Sequence, residues 1–197
     1  GGVWTARVPD VAAGKWTFEQ LWVNGCRATR ARTPNEFYHY ILSAPAGGPD
    51  PQTGQPTDLS NRAFTGRPED LQCLAGLTPE QLHEVNIVAY HSWESSRSRI
   101  ASYDPKTHLV VLTGRLAWPL NYWGPNMRYV IENVRAALDQ PGEWFLDRDG
   151  TLSYLPLPGQ DMTQAEVIAP VCPEFLRLAG QPELGLLVEN VAFEGLS

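Results

Sequence analysis

Basic residues are scarce in this chain of 197 residues, where 15 Lys plus Arg stand against 22 Asp plus Glu and leave a formal net charge of −7. No basic stripe is available to neutralise phosphates, so neither nucleic acid nor a membrane surface is an expected partner. Long apolar runs are missing too: the longest, such as LGLLV at 184–188, fall far short of the roughly 20 residues a membrane helix needs. Three cysteines, Cys26, Cys73 and Cys172, show no C-x-x-C spacing, which excludes a zinc knuckle or a thioredoxin-like motif and allows at most one internal disulfide. The four histidines, His39, His83, His91 and His108, have neither i, i+4 nor H-x-H spacing, so no metal site is expected. A Gly-rich phosphate loop and a G-x-S-x-G elbow are also lacking, and no cofactor is expected.

What the chain does contain is punctuation. Glycine and proline, 17 of each, are spread along the whole length, the pattern of many short strands joined by turns. Asn24-Gly25 sits between β-rich flanks and predicts a two-residue hairpin whose central residues both take positive φ. Gly2–Val8 reads as a strand before it. Residues 43–68 shift to Pro, Gly, Gln, Thr and Asp and predict a long surface loop with too few apolar residues for a core strand. Thr78-Pro79 followed by early acids is a helix start signal. Val85–Tyr90, Arg99–Tyr103 and His108–Leu112 read as strands, with Asp104-Pro105 as a turn. The apolar positions 130, 131, 134, 137 and 138 fit a helical stripe, so a short helix is expected there. A second hairpin is expected over Glu143–Tyr154 with Asp149-Gly150 at its tip, and a strand at Ala165–Ala169. The fold class that follows is mainly β, a β-barrel or sandwich-like domain with one or two short helices.

Several spaced stretches carry a resemblance: LWVNGCRATRARTPN at 21–35, ENV at 132–134, LDQPGEWFLDR at 138–148, GTLSY at 150–154 and ENVAFEGL at 189–196. In this order they look like the leading region of bacterial right-handed parallel β-helix glycoside hydrolases, the group that holds α-fucosidase, xylanase and xylosidase relatives. The resemblance implies an inserted all-β accessory domain over 1–183 and the start of a parallel β-helix over 184–197, truncated after its first rung. It also implies that catalytic carboxylates lie on later rungs beyond Ser197, so no catalytic residue is assigned within the chain. The implied setting is secreted or periplasmic and bacterial, with the signal peptide absent from this sequence. The absence of any Asn-x-Ser/Thr sequon agrees with a bacterial source. The implied partners are a glycan and the remainder of the β-helix.

Two clusters are candidates for glycan contact. In YHSWESSRSR at 90–99, Trp93 can stack on a sugar ring while Glu94, Arg97 and Arg99 hydrogen-bond its hydroxyls, a few convergent polar groups on an apolar base. The alternative is a buried Trp93 with the arginines paired to surface acids. In WPLNYWGP at 118–125, Trp118, Tyr122 and Trp123 form a second stacking surface, or else an aromatic plug in the core. A glycosidase needs paired carboxylates, but Asp147 and Asp149 flank a turn where Asp-Gly serves the backbone. Glu143 reads as structural. The competing classes are an enzyme using Glu94 and a distant Asp, and a purely structural or interaction module.

Overall fold

The computed structural model describes residues 2–50, 53–172 and 174–195. Among the described residues it is mainly β, with several open sheets, no closed barrel and two four-residue α-helices, α1 (Pro9–Ala12) and α2 (Pro79–Leu82). Among the described residues the strands fall into four sheets. The four-stranded sheet runs β1 (Trp4–Arg7), β15 (Thr151–Tyr154), β14 (Glu143–Leu146), β4 (Thr29–Arg30). The seven-stranded sheet runs β5 (Arg32–Thr33), β13 (Arg128–Glu132), β10 (Asn86–Tyr90), β11 (Ser95–Asp104), β12 (Leu109–Leu112), β9 (Ala63–Thr65), with β6 (His39–Tyr40) also pairing on β13. A three-stranded sheet joins β16 (Val167–Ile168), β2 (Trp22–Val23) and β3 (Cys26–Arg27). The pair β7 (Gly47–Pro49) and β8 (Pro56–Asp58) stands apart.

The turn chemistry behaves as the residues dictate. Asn24 and Gly25 take φ of 51° and 74° between β2 and β3, the paired positive values of a tight hairpin. Gly150, at φ 81°, closes the β14–β15 hairpin, and a Cβ there would stand 2.5 Å from the carbonyl oxygen of Val8. Only glycine lets β1 approach so closely. Thr78 caps α2 through a reciprocal pair: its Oγ1 accepts from Gln81 N at 3.3 Å while Thr78 N donates to Gln81 Oε1 at 2.9 Å. Asp104 closes the β11–β12 turn by accepting from Lys106 N at 2.9 Å and Thr107 Oγ1 at 2.7 Å.

Two elements differ from the sequence expectation. The helical stripe at 129–138 is instead the central strand β13 followed by a 3₁₀ turn over Arg135–Ala137. Tyr129 and Ile131 enter the larger core while Val130 is buried on the opposite face, and a strand covered on both sides shows no alternation to distinguish it from a helix. The expected loop at 43–68 contains β7, β8 and β9, and Leu59, Ala63 and Phe64 are fully buried. Three apolar residues suffice because β9 needs only one edge of β12 and one face, with Phe64 packed 4.8 Å from Tyr129.

Two cores result. The larger gathers Ile41, Phe64, Ile87, Ile100, Leu112 and Tyr129 on one face of the seven-stranded sheet. The smaller gathers Phe18, Leu21, Trp144, Leu152 and Tyr154 between the four-stranded and three-stranded sheets. Residues 171–172 and 174–195 belong to neither. Their described part holds a 3₁₀ turn, Pro182–Leu184, and one bridge, Gln181 to Leu186, but no strand over 187–195. The described residues of the expected rung carry no ladder strand, and Leu196 lies outside the described residues.

Candidate carbohydrate-binding site

The structure brings together four of the six candidate residues. Trp93 lies in the turn between β10 and β11, and Trp118, Tyr122 and Trp123 lie in the connection from β12 to β13. Their rings form one continuous knoll. Trp93 meets Trp123 at 4.8 Å and Trp118 at 5.7 Å, Trp118 meets Trp123 at 5.1 Å, and Tyr122 meets Trp123 at 4.8 Å. All four pairs are edge-to-face, the arrangement favoured by ring quadrupoles. Trp93 is 66% exposed, Tyr122 60% and Trp123 42%, so the expectation of a core Trp93 or an aromatic plug does not hold.

Buried anchors hold the knoll in place. Leu116 and Leu120 enter the larger core, and their amides donate to the carbonyls of Asn61 and Ser60, both at 2.8 Å. The Asn61 side chain returns a bond to Leu116 O at 2.9 Å. Asn121, at φ 58°, accepts from Met127 N at 3.0 Å and so pins the far end of the loop. Asparagine tolerates this left-handed conformation better than most residues. On the other side, His91 N donates to Glu94 O at 2.8 Å and closes the turn that carries Trp93.

Beside the knoll lies an open cleft of about 260 Å³, with Trp123 on one wall and Tyr40, Tyr90, His91, Asn126 and Arg128 on the others. Burial lowers the pKa of His91 more than the nearby Glu94 charge raises it, so the ring is neutral at pH 7 and its nitrogens act as one donor and one acceptor. His91 Nε2 lies 3.0 Å from Ser96 Oγ. No Asp or Glu is among the residues lining this cleft. A hydrolytic pair of carboxylates is therefore not assembled there, although neutral donors and acceptors are.

The other two candidate residues behave differently. Glu94 is exposed in the turn beside Trp93. Arg97 points away from the aromatics: it bonds Glu19 Oε2 at 2.8 Å and Glu132 Oε2 at 2.9 Å. Two of the carboxylates weighed for catalysis, Asp149 and Glu143, are held by backbone amides. Asp149 accepts from Thr151 N and from Arg7. Glu143 is buried, its Oε2 accepting from Asp139 N and Gln140 N at 3.0 Å each, while burial pushes its pKa up. Tyr40, Tyr90, Asn126 and Arg128 were not legible as site residues, because they reach the cleft from three different parts of the chain.

The fold is that of a β-rich domain of open sheets that presents exposed aromatics beside a polar cleft. No protein-family model and no curated protein matches the chain. A solved structure described as a glycoside hydrolase shares the fold, with a TM-score of 0.61 and 23% sequence identity over 84% of this chain. The chain spans 28% of the length of that structure.

Proposed function

We propose that this chain is a non-catalytic accessory domain of a larger secreted or periplasmic bacterial glycoside hydrolase and that it binds glycan through the knoll of Trp93, Trp118, Tyr122 and Trp123. The observation that carries the reading is that Trp93, Tyr122 and Trp123 are exposed and Trp118 half-buried, yet all are fixed by buried anchors. Sugars present flat C–H faces, and a rigid aromatic surface binds them without first losing conformational freedom. Neutral groups of the adjoining cleft then select hydroxyls. The fold shared with a glycoside hydrolase over 28% of its length supports a part rather than a whole. In this reading residues 184–197 lead into the first rung of a parallel β-helix, and the remaining rungs supply both catalytic carboxylates and cover for the exposed tail.

A panel of neutral plant and bacterial glycans tests the reading. At least one should bind the purified chain, and Trp123→Ala should abolish that binding. A panel with no binder overturns it and leaves a structural module. Hydrolysis of an aryl glycoside by the clean chain, lost in Glu94→Gln, would place catalysis inside the chain instead.

A further inference from the structure

Two clefts meet at Arg30. The first, of about 370 Å³, is bordered by Arg30, Arg99 and Arg148 together with Glu84 and Asp147. The second, of about 220 Å³, is bordered by Arg27, Arg30, Arg32 and Arg97 together with Glu19 and Glu132. Six arginines thus face four carboxylates, a local excess of positive charge in a chain whose formal net charge is −7. The placement follows from strand register. Arg97 stands opposite Val88, while Arg99 and Glu132 flank Asn86 from either side, so all share the sheet face turned away from the larger core. Glu19 and Arg30 reach that face from the smaller unit.

The carboxylates do not satisfy this set. Arg97 takes the two short bonds to Glu19 and Glu132. Arg99 and Arg148 stand 3.9 and 3.6 Å from Glu84, beyond hydrogen-bond distance, and Arg148 instead donates to Glu80 O at 3.0 Å. Arg30 is the sharpest case: its side chain is only 7% accessible, its Nη1 is 3.7 Å from Glu19, and neither its Nε nor its Nη1 has a hydrogen-bond acceptor among the described residues. Its guanidinium lies 5.4 Å over the ring of Trp144. Asn86, 1% exposed, has an unpaired Nδ2 on the same sheet face. A buried donor without an acceptor is costly, and more so when charged. Burial pulls the Arg30 pKa down to about 10 against the pull of Glu19 and Glu132. Both unpaired atoms of Arg30 are donors, so the missing complement at the cleft is an acceptor.

We propose that the arginine cleft is a second binding site, one for the carboxylate of an acidic ligand about the size of one sugar ring, with Arg30 as its buried anchor. A carboxylate is planar, accepts only, and matches the guanidinium fork in two-point contact. The cleft volumes suit a small ring rather than a polymer. That the carboxylate sits on a sugar acid rests on the glycan-binding reading above; the carboxylate site itself does not.

Titration calorimetry on the full chain at low salt tests this with glucuronate, succinate, glucose and inorganic sulfate. Glucuronate should bind with a Kd on the order of 1 mM, a modest affinity for a single anchored carboxylate, and glucose should not bind the same cleft. Arg27→Gln alters an exposed arginine whose recorded contact is the Trp22 ring at 6.0 Å. It should weaken glucuronate about three- to tenfold by removing one rim charge. This variant keeps the test decisive if Arg30→Gln fails to fold. Succinate binding as tightly as glucuronate supports the carboxylate site and assigns it to acids in general. Silence towards both acids, a response to sulfate alone, or undiminished glucuronate binding by Arg27→Gln overturns the proposal. The two readings fail separately: neutral glycan binding without glucuronate binding sinks only this one, and glucuronate binding without neutral glycan binding sinks only the knoll.

Discussion

The aromatic knoll and the tail over 171–195 both present large apolar side chains to solvent, and they are built in opposite ways. Behind the knoll stand Leu116 and Leu120 in the larger core, backbone bonds to Ser60 and Asn61, and the Asn121 clasp on Met127. The tail exposes Val171, Phe175, Leu178, Leu184, Leu187 and Phe193, with Phe175 at 84%, and among its described residues a bridge joins Gln181 to Leu186. Exposure is thus common to both, while fixed geometry belongs to the knoll. A recognition surface needs the second property, because rings held in one arrangement lose little entropy on binding. An uncovered apolar tail instead marks a surface that gains from being covered.

The comparison can be broken at its strongest point first. Leu120→Ala removes a core anchor and should cost about 2–5 kcal/mol, as large-to-small core substitutions do; chemical denaturation reads the loss, and glycan binding should fall with it. A cost near zero would mean the knoll is not held from below. Trp123→Ala should cost less, about 1–2 kcal/mol, since the ring is partly exposed and its edge-to-face pairs with Trp93, Trp118 and Tyr122, worth about 0.5–1.5 kcal/mol each at most, share one ring and do not add. It should nonetheless abolish glycan binding, which separates recognition from stability.

A smaller effect comes from the ion pairs that join the two units. Burial raises the pKa of Glu19, but the Arg97 hydrogen bond and the charges of Arg30, Arg97 and Arg99 outweigh it and hold the carboxyl below its ordinary 4.5. A depressed carboxylate contributes stability above its unfolded pKa, and that contribution is lost as pH falls through the folded value. Glu19 is partly exposed, so Glu19→Gln should cost about 0.2–1 kcal/mol at neutral pH. Thermal unfolding measured against pH should show wild type and variant converging in strong acid. A gap that persists at low pH would remove the ion-pair explanation. Smallest of all, deleting 171–197 should change stability by less than about 0.5 kcal/mol, the scale of surface changes that touch no core. Limited proteolysis should cut this tail first. The intact chain should also self-associate with rising concentration in light scattering, and the deletion should stop it.

Much of this structure was legible because its signals are local. Asn24-Gly25, Asp149-Gly150, Asp104-Pro105 and the Thr78 cap each carry their geometry in two to four residues, and each forms as the chemistry dictates. The aromatic candidates were visible by composition. What composition could not supply was their orientation: a tryptophan is as suited to a core, as Trp144 shows by its complete burial, as to the exposed position of Trp93.

By itself, then, the sequence determined the β character, the hairpin tips, the cap of α2 and the aromatic inventory, because backbone φ requirements and capping bonds act over a few residues. Only the tertiary structure decided that 129–132 is a strand and that Phe64 is core. It alone joined Trp93 to Trp118 and Trp123, turned Arg97 from the aromatics towards Glu19, and set Arg30 among unmatched donors. Those outcomes depend on which distant strands pair and on what each face then meets, and no local pattern of residues encodes either.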